Sequence, residues 1–374
     1  MKISQIELFP VVSKLPSPLR WGAFEVDEKS CIILKLTTDD GVIGVGECGL
    51  STRFYRQVKA TVNGLIPSLI GKDAEAVGAL WQEIYSSTHQ WGRRGVETYA
   101  LSGIDIALWD VLGKSAGKPI HALFGTTVAS VPAYYAPDLK PAARIAEESA
   151  KAAGNGFGAI KLRTGLGLEE DKKIIREVRN AVGDSVTLMV DPNMAYDLTT
   201  GIRMARFFEE HGIYWIEEPV RTHSLIEYVR VLGEIGAHTS CYVAGGESLF
   251  TPYEFTDLIS KRAVDVVQPD CTTSGGLTAA RKISAMAEAW NVAFVPHVAC
   301  SSIATIGLAA ALHAIGSSVT SQYVEYDPYV SPLRQELLEE PLRPNGEGLM
   351  AVPEGPGLGI NLNWEAVKHY ALDE

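Results

Sequence analysis

Lys161, Asp191, Glu217, Glu247, Asp270, His297 and Glu325 each stand at or near the end of a short β-rich run. A lone Asp or Glu after a strand is ordinarily a helix cap or a turn former. Asp191, Glu217 and Glu247 close three consecutive runs, which changes the reading. Neighbouring strands lie about 5 Å apart, so three inward carboxylates repel one another unless a cation sits between them. Oxygen ligands without clustered His or Cys favour Mg²⁺ or Mn²⁺ over Zn²⁺. Asp270 and His297 end the next two runs. A carboxylate on one imidazole nitrogen fixes the tautomer, raises basicity and leaves the other nitrogen to take a proton. By itself, His297 after Pro296 reads as a loop or core histidine. Lys161 and Arg163 are two residues apart and share one side of their strand. They read either as a structural salt-bridge pair or as binders of a substrate carboxylate.

Those residues need a scaffold that brings strand ends together. The β-rich runs end near Tyr135, Lys161, Asp191, Glu217, Glu247, Asp270, His297 and Glu325, at intervals of 23 to 30 residues. Helical patterns fill the gaps: 140–153, 168–182, 198–211, 224–235, 251–262, 277–290 and 303–315. Strand and helix repeated eight times predict a (β/α)₈ barrel with its chemistry at the C-terminal mouth. Periodicity alone leaves a doubly wound open sheet as the alternative, and the polar strand ends favour the barrel. Before residue 127 the pattern is α+β. Cys31–Leu36 and Val42–Gly46 flank an Asp-Gly turn, and apolar residues recur at helical spacing over Val96–Lys114.

The 374 residues are 46% hydrophobic and 21% charged, which excludes a disordered or fibrous chain. The net charge of −12 makes nucleic acid and anionic membrane poor partners. Five scattered cysteines, Cys31, Cys48, Cys241, Cys271 and Cys300, form no Cys-x-x-Cys pair and suit a reducing cytoplasm. The alternating start Met1–Glu7 is unlike a signal peptide, and the small-residue stretch 301–319 reads as a buried helix rather than a membrane span.

Lys161-Leu162-Arg163, Asp191-Pro192-Asn193, Trp215-Ile216-Glu217-Glu218-Pro219, Gly245-Gly246-Glu247, Gln268-Pro269-Asp270, Val295-Pro296-His297 and Val324-Glu325 together resemble the mandelate racemase branch of the enolase superfamily. Leu101–Asp110 and Gly355–Ile360 extend the resemblance over nearly the whole chain. It implies a capping domain, residues 1–127, over a modified barrel, 128–326, with segment 327–374 returning to the cap. It also implies Mg²⁺-dependent removal of the proton next to a carboxylate, a pattern general to that superfamily. By position, Asp191, Glu217 and Glu247 would hold the metal, and His297 with Asp270 would form the base. Glu325 would hydrogen-bond the developing enediolate oxygen, and Lys161 would hold the substrate carboxylate.

Where racemases of the family carry a second lysine as base, this chain has Arg163, which does not readily lose a proton. One-base chemistry follows, most simply dehydration of an acid sugar. Sugar-lactone cycloisomerisation is the alternative, as is racemisation or epimerisation should Arg163 lower the Lys161 pKa. Substrate contacts are expected from Asn193 and from cap loops holding Arg20, Trp21, Phe24 and Arg53, whose plainer reading is ordinary exposed loop. The resemblance further suggests a homo-oligomer. Two rivals remain. Gly44-Val45-Gly46-Glu47-Cys48-Gly49 fits a dinucleotide fingerprint, which would mean a nicotinamide-dependent oxidoreductase, but the motif closes a hairpin instead of opening a helix. A non-catalytic scaffold is the other.

Overall fold

The computed structural model describes residues 1–21, 24–49, 55–298, 305–329 and 331–372, without the Trp21 and Phe24 side chains. Strands β1 (Ile3–Trp21), β2 (Phe24–Thr38) and β3 (Ile43–Cys48) form an antiparallel sheet. Helices α1 (Tyr55–Leu69), α2 (Val77–Thr88), α3 (Val96–Ala116) and α4 (Ile120–Phe124) follow. The hairpin forms around Gly41, whose left-handed φ of 87° suits glycine. Gly44 and Gly46 serve packing: a Cβ on either would strike the α3 backbone at Ala107 or Gly103. The run 44–49 therefore lies in and just after a strand under a helix, and no dinucleotide turn is built there.

Parallel strands then alternate with helices: β4 (Ser130–Tyr135), α5 (Ala142–Gly154), β5 (Ala159–Arg163), α6 (Leu168–Val182), β6 (Thr187–Asp191), α7 (Leu198–Glu210), β7 (Ile213–Glu217) and α8 (Leu225–Gly236). After them come β8 (Tyr242–Gly245), α9 (Thr251–Ser260), β9 (Val266–Val267), α10 (Gly276–Ala289), β10 (Ala293–Phe294), α11 (Ile306–Gly316) and β11 (Val324–Tyr326). The strand order is β10-β9-β8-β7-β6-β5-β4-β11, a sheet curled into a barrel. Among the described residues no ladder joins β10 to β11, and the Ser321 hydroxyl bridges that seam to the Phe294 carbonyl at 2.6 Å. The remaining elements are α12 (Pro332–Glu336), β12 (Leu349–Ala351) and α13 (Trp364–Tyr370). β12 pairs with the start of β4, and α13 packs on β1, where Trp364 meets Phe9 edge-on at 5.6 Å.

Three predicted strand ends lie beyond their strands. β8, β9 and β10 stop at Gly245, Val267 and Phe294, short of Glu247, Asp270 and His297. Gly246 turns left-handed (φ 122°), while Pro269 and Pro296 have no N–H to extend a ladder. An isolated parallel bridge nevertheless joins Asp270 to His297.

Strand alternation fixes which residues face inward. Ala159, Met189, Trp215, Val266, Val295 and Tyr323 belong to the inner packing layer, with Tyr134 among them. Two positions further along each strand direction stand Lys161, Asp191, Glu217, Gln268, His297 and Glu325. The intervening Ile160, Leu162, Val190 and Ile216 pack outward on the helices.

Helix α3 is buried nearly all round, so its acids become connectors instead of a solvent face. Asp105 accepts the Thr278 N–H (2.8 Å) and hydroxyl (2.6 Å) at the start of α10. Asp110 accepts Val45 N (2.9 Å), Leu358 N (2.8 Å) and Lys114 Nζ (2.7 Å).

α11 is likewise buried, and among the described residues no helix is long and apolar enough to cross a membrane. Its His313 is fully buried and stacks on His121 at 5.4 Å. Burial pushes the His313 pKa from the ordinary 6.5 down to about 4; the Leu358 backbone opposes this and His121 adds to it. The unfolded chain thus binds this proton first as pH falls. His313 contributes stability that is fully present above pH 6.5 and is lost towards pH 4, about 3 kcal/mol at about 1.4 kcal/mol per pH unit. In urea titrations His313→Gln should lose less stability than the parent over that window. Parallel losses in the two proteins would refute the assignment.

Candidate active site

The inward strand ends meet as a charge cluster. Lys161, 1% exposed, donates to Glu217 Oε1 at 2.8 Å and lies 3.3 Å from Glu325 Oε1 and 3.8 Å from Asp191 Oδ2. Burial opposes its charge, but Glu217 and Glu325 outweigh it, with Tyr134 and Asp191 adding, and the pKa is raised well above the ordinary lysine value. Carboxylates surround the ammonium and keep that pKa up, opposite in direction to the lowering that a basic Lys161 needs. Arg163 donates to Asn193 Oδ1 at 3.4 Å.

Asp191 accepts Asn193 N at 2.8 Å and Asn193 Nδ2 at 3.0 Å. Asn193 has φ 46°, a left-handed conformation that asparagine tolerates well. The other oxygen of Glu217 accepts Gln268 Nε2 at 2.9 Å. Burial raises the pKa of Asp191 to about 6 and that of Glu217 to about 7; Lys161 opposes, and the neighbouring carboxylates add to the rise.

His297 lies between carboxylates. Its Nδ1 is 3.2 Å from Asp270 Oδ2, and its Nε2 is 3.0 Å from Glu247 Oε2 and 3.9 Å from Glu325 Oε2. Thr272 N (2.7 Å) and Oγ1 (2.6 Å) hold Asp270 Oδ1 and turn Oδ2 towards the imidazole. Burial would lower the His297 pKa, but Glu247, Asp270 and Glu325 hold it well above 6.5. Burial likewise pushes Glu325 up, but Lys161, His297 and Arg163 prevail and its pKa is lowered.

Among the described residues no three His, Cys, Asp or Glu side chains converge at metal-ligand spacing. Asp191, Glu217 and Glu247 are turned instead to Asn193, to Lys161 with Gln268, and to His297. Donor chemistry nevertheless fits a hard divalent cation: the buried Asp191 and Glu217 and the partly exposed Glu247 bring carboxylate oxygens from three consecutive β-α segments.

The family model for the mandelate racemase / muconate lactonizing enzyme N-terminal domain matches residues 4–125, and the enolase C-terminal domain-like model matches 143–367. The chain belongs to the mandelate racemase / muconate lactonizing enzyme family. It is an enzyme of the enolase superfamily. A D-galactarolactone cycloisomerase from Agrobacterium fabrum is 33% identical, with 100% of both chains covered. An arabinonate dehydratase from Saccharolobus solfataricus is 32% identical over 91% of this chain and 90% of its own. A solved racemase structure from Streptomyces coelicolor A3(2), with bound magnesium, has a TM-score of 0.88 at 29% identity, covering 99% of this chain and 100% of that one.

Other family-site expectations divide. Arg20 pairs with Glu25 across the hairpin at 2.6 Å and is 65% exposed, in line with its plainer reading as a surface residue. The Trp21 and Phe24 side chains and residues 52–54 lie outside the described residues. The far end of β1 does reach the barrel mouth, where Ser17 N donates to the Tyr329 hydroxyl at 3.1 Å. Gln268 escaped the sequence reading, although it stands two residues before Asp270 and in the same inward phase. Glu47 also escaped it. This cap acid is 1% exposed and accepts Gly307 N at 2.9 Å; burial, with Asp270 adding, raises its pKa to about 7 against the pull of the Gly307 bond. Its signal was an acid set among the apolar residues of β3.

Proposed function

We propose that this enzyme removes the α-proton of an acid sugar and eliminates the β-hydroxyl as water, with sugar-lactone cycloisomerisation as the second reading. The observation that carries the proposal is His297, oriented by Asp270 and facing the partly exposed Glu247 and the buried Lys161, Glu217 and Glu325. The full-length likeness to a galactarolactone cycloisomerase supports the second reading. The same interpretation assigns residues 1–127 to the cap, 128–326 to the barrel and 327–374 to the returning segment.

Asp191, Glu217 and Glu247 would hold Mg²⁺, with Mn²⁺ acceptable to the same oxygen donors, and the bound ion supplies positive charge where negative charge develops. Lys161 binds the substrate carboxylate and stays protonated. Arg163, near Asn193, cannot serve as a base on the opposite face. With Glu247 turned from His297 to the metal, the imidazole loses the carboxylate that most favours its charged form; neutral His297 Nε2 then takes the α-proton while Asp270 holds Nδ1. The imidazolium then returns that proton to the leaving β-hydroxyl, or to the ring oxygen of a lactone. Glu325 accepts hydrogen bonds while Lys161 is beside it, and donates one only once Lys161 has moved to a substrate carboxylate and Glu325 has gained a proton.

The test is a panel of acid sugars and lactones incubated with Mg²⁺ in D₂O and followed by proton NMR. A 2-keto-3-deoxy product supports dehydration, and an opened lactone supports the second reading. Deuterium entry with inversion and no elimination would overturn both.

A further inference from the structure

Glu218 follows Glu217 directly, and its side chain turns out of the barrel towards α8. It is 2% exposed, and among the described residues no Lys, Arg or His forms an ion pair with it. Its Oε1 accepts the Tyr228 hydroxyl at 2.5 Å, Gly246 N at 3.1 Å and the Ser248 hydroxyl at 3.2 Å, while Oε2 lies 3.2 Å from the same serine oxygen. Gly246 and Ser248 are the two neighbours of Glu247, so one carboxylate grips both sides of that residue.

The backbone extends the grip. Glu218 N donates to Ala244 O at 3.2 Å, and Glu218 O accepts Met194 N at 2.8 Å, three residues beyond Asp191. Glu218 thus touches all three segments that carry Asp191, Glu217 and Glu247. It does so with φ 33°, a left-handed conformation that persists in a non-glycine residue only where surrounding bonds fix it. Gly245 leaves room for the anchor, because a Cβ there would lie 2.6 Å from the Tyr228 hydroxyl. From the cap side, Arg94 donates to Ser248 O at 3.3 Å and holds the same loop.

We propose that Glu218, anchored by Tyr228, is a positioning residue that sets Glu247 against Asp191 and Glu217 so that the three carboxylates can take one divalent cation. The inference rests on the Mg²⁺ reading above. Hydrogen bonds, not charge, carry the role. A glutamine can still accept from Tyr228 and Gly246 and can donate to the Ser248 hydroxyl, whereas alanine releases all three.

Mg²⁺ titration calorimetry on the purified chain, with thermal unfolding alongside, tests it without any substrate. Glu218→Ala should weaken Mg²⁺ binding by about 10- to 100-fold, the usual loss when an outer partner of a metal ligand is removed. Glu218→Gln should stay close to the parent, and Tyr228→Phe should fall between the two. A merely structural role would lower the melting temperature and leave the Mg²⁺ affinity unchanged, which overturns the proposal. Equal weakening in the Gln and Ala variants would also overturn it, by assigning the effect to charge. Should Glu218→Ala fail to fold, Tyr228→Phe decides: unchanged affinity refutes the positioning role and weakened affinity supports it. A parent protein that binds no Mg²⁺ overturns the functional reading together with this inference; a parent that binds beside an unaffected Glu218→Ala overturns this inference alone.

Discussion

Replacing His297 by Asn is expected to lower turnover by about 10²- to 10⁴-fold, the usual contribution of a positioned general base. Asparagine has no proton affinity near neutral pH, so α-proton exchange in D₂O should fall with product formation. Mg²⁺ binding should persist. His297 Nε2 lies 3.0 Å from Glu247, and its loss leaves that carboxylate with one competitor fewer for the metal. Exchange measured by NMR, beside Mg²⁺ calorimetry, checks both halves. Retained turnover would overturn the base assignment, and lost Mg²⁺ binding would show that the imidazole supports the cation site.

Glu217→Gln is expected to keep the fold and lose metal-dependent activity, by several kcal/mol of transition-state stabilisation or about 10³-fold. Removing one partner of a buried ion pair normally costs about 3–5 kcal/mol. Here the cost should be smaller, because Lys161 retains Glu325 at 3.3 Å and Asp191 at 3.8 Å. A glutamine carbonyl can still accept from Lys161. On its other side, the Gln268 carbonyl oxygen, buried and unpartnered, can accept the new amide once the Gln268 side chain flips. The variant should therefore melt near the parent while Mg²⁺ no longer restores activity to chelator-treated protein. Full activity restored by Mg²⁺ would remove Glu217 from the cation site.

The sequence was most legible where one local rule decided the outcome. Helix α6 occupies Leu168–Val182 as predicted, because Gly167 and Gly183 bound a clear amphipathic period. Asp191 and Glu217 close their strands as expected, because β6 and β7 are uninterrupted apolar runs. The reading slipped at Glu247, Asp270 and His297, where a glycine or proline ends the ladder before the ionisable residue. It also missed residues whose purpose depends on distant partners. Glu47 meets Gly307, 260 positions away, and Gln268 meets Glu217, 51 positions away. A buried acid and an exposed acid look alike in one dimension. Arg20, expected in a loop, instead lies at the far end of β1 and pairs with Glu25 across the hairpin.

The two aspartates of α3 bear on how new specificities can be engineered here. Asp105 accepts from Thr278 in the barrel, and Asp110 accepts from Leu358 in the returning segment, so the cap is stitched to the rest through buried bonds. A foreign cap without those acids would strand the Thr278 and Leu358 N–H groups, at about 1–3 kcal/mol each. Recombination with relatives is therefore better confined to loops at the mouth, with the α3 helix kept as the fixed joint of any chimaera.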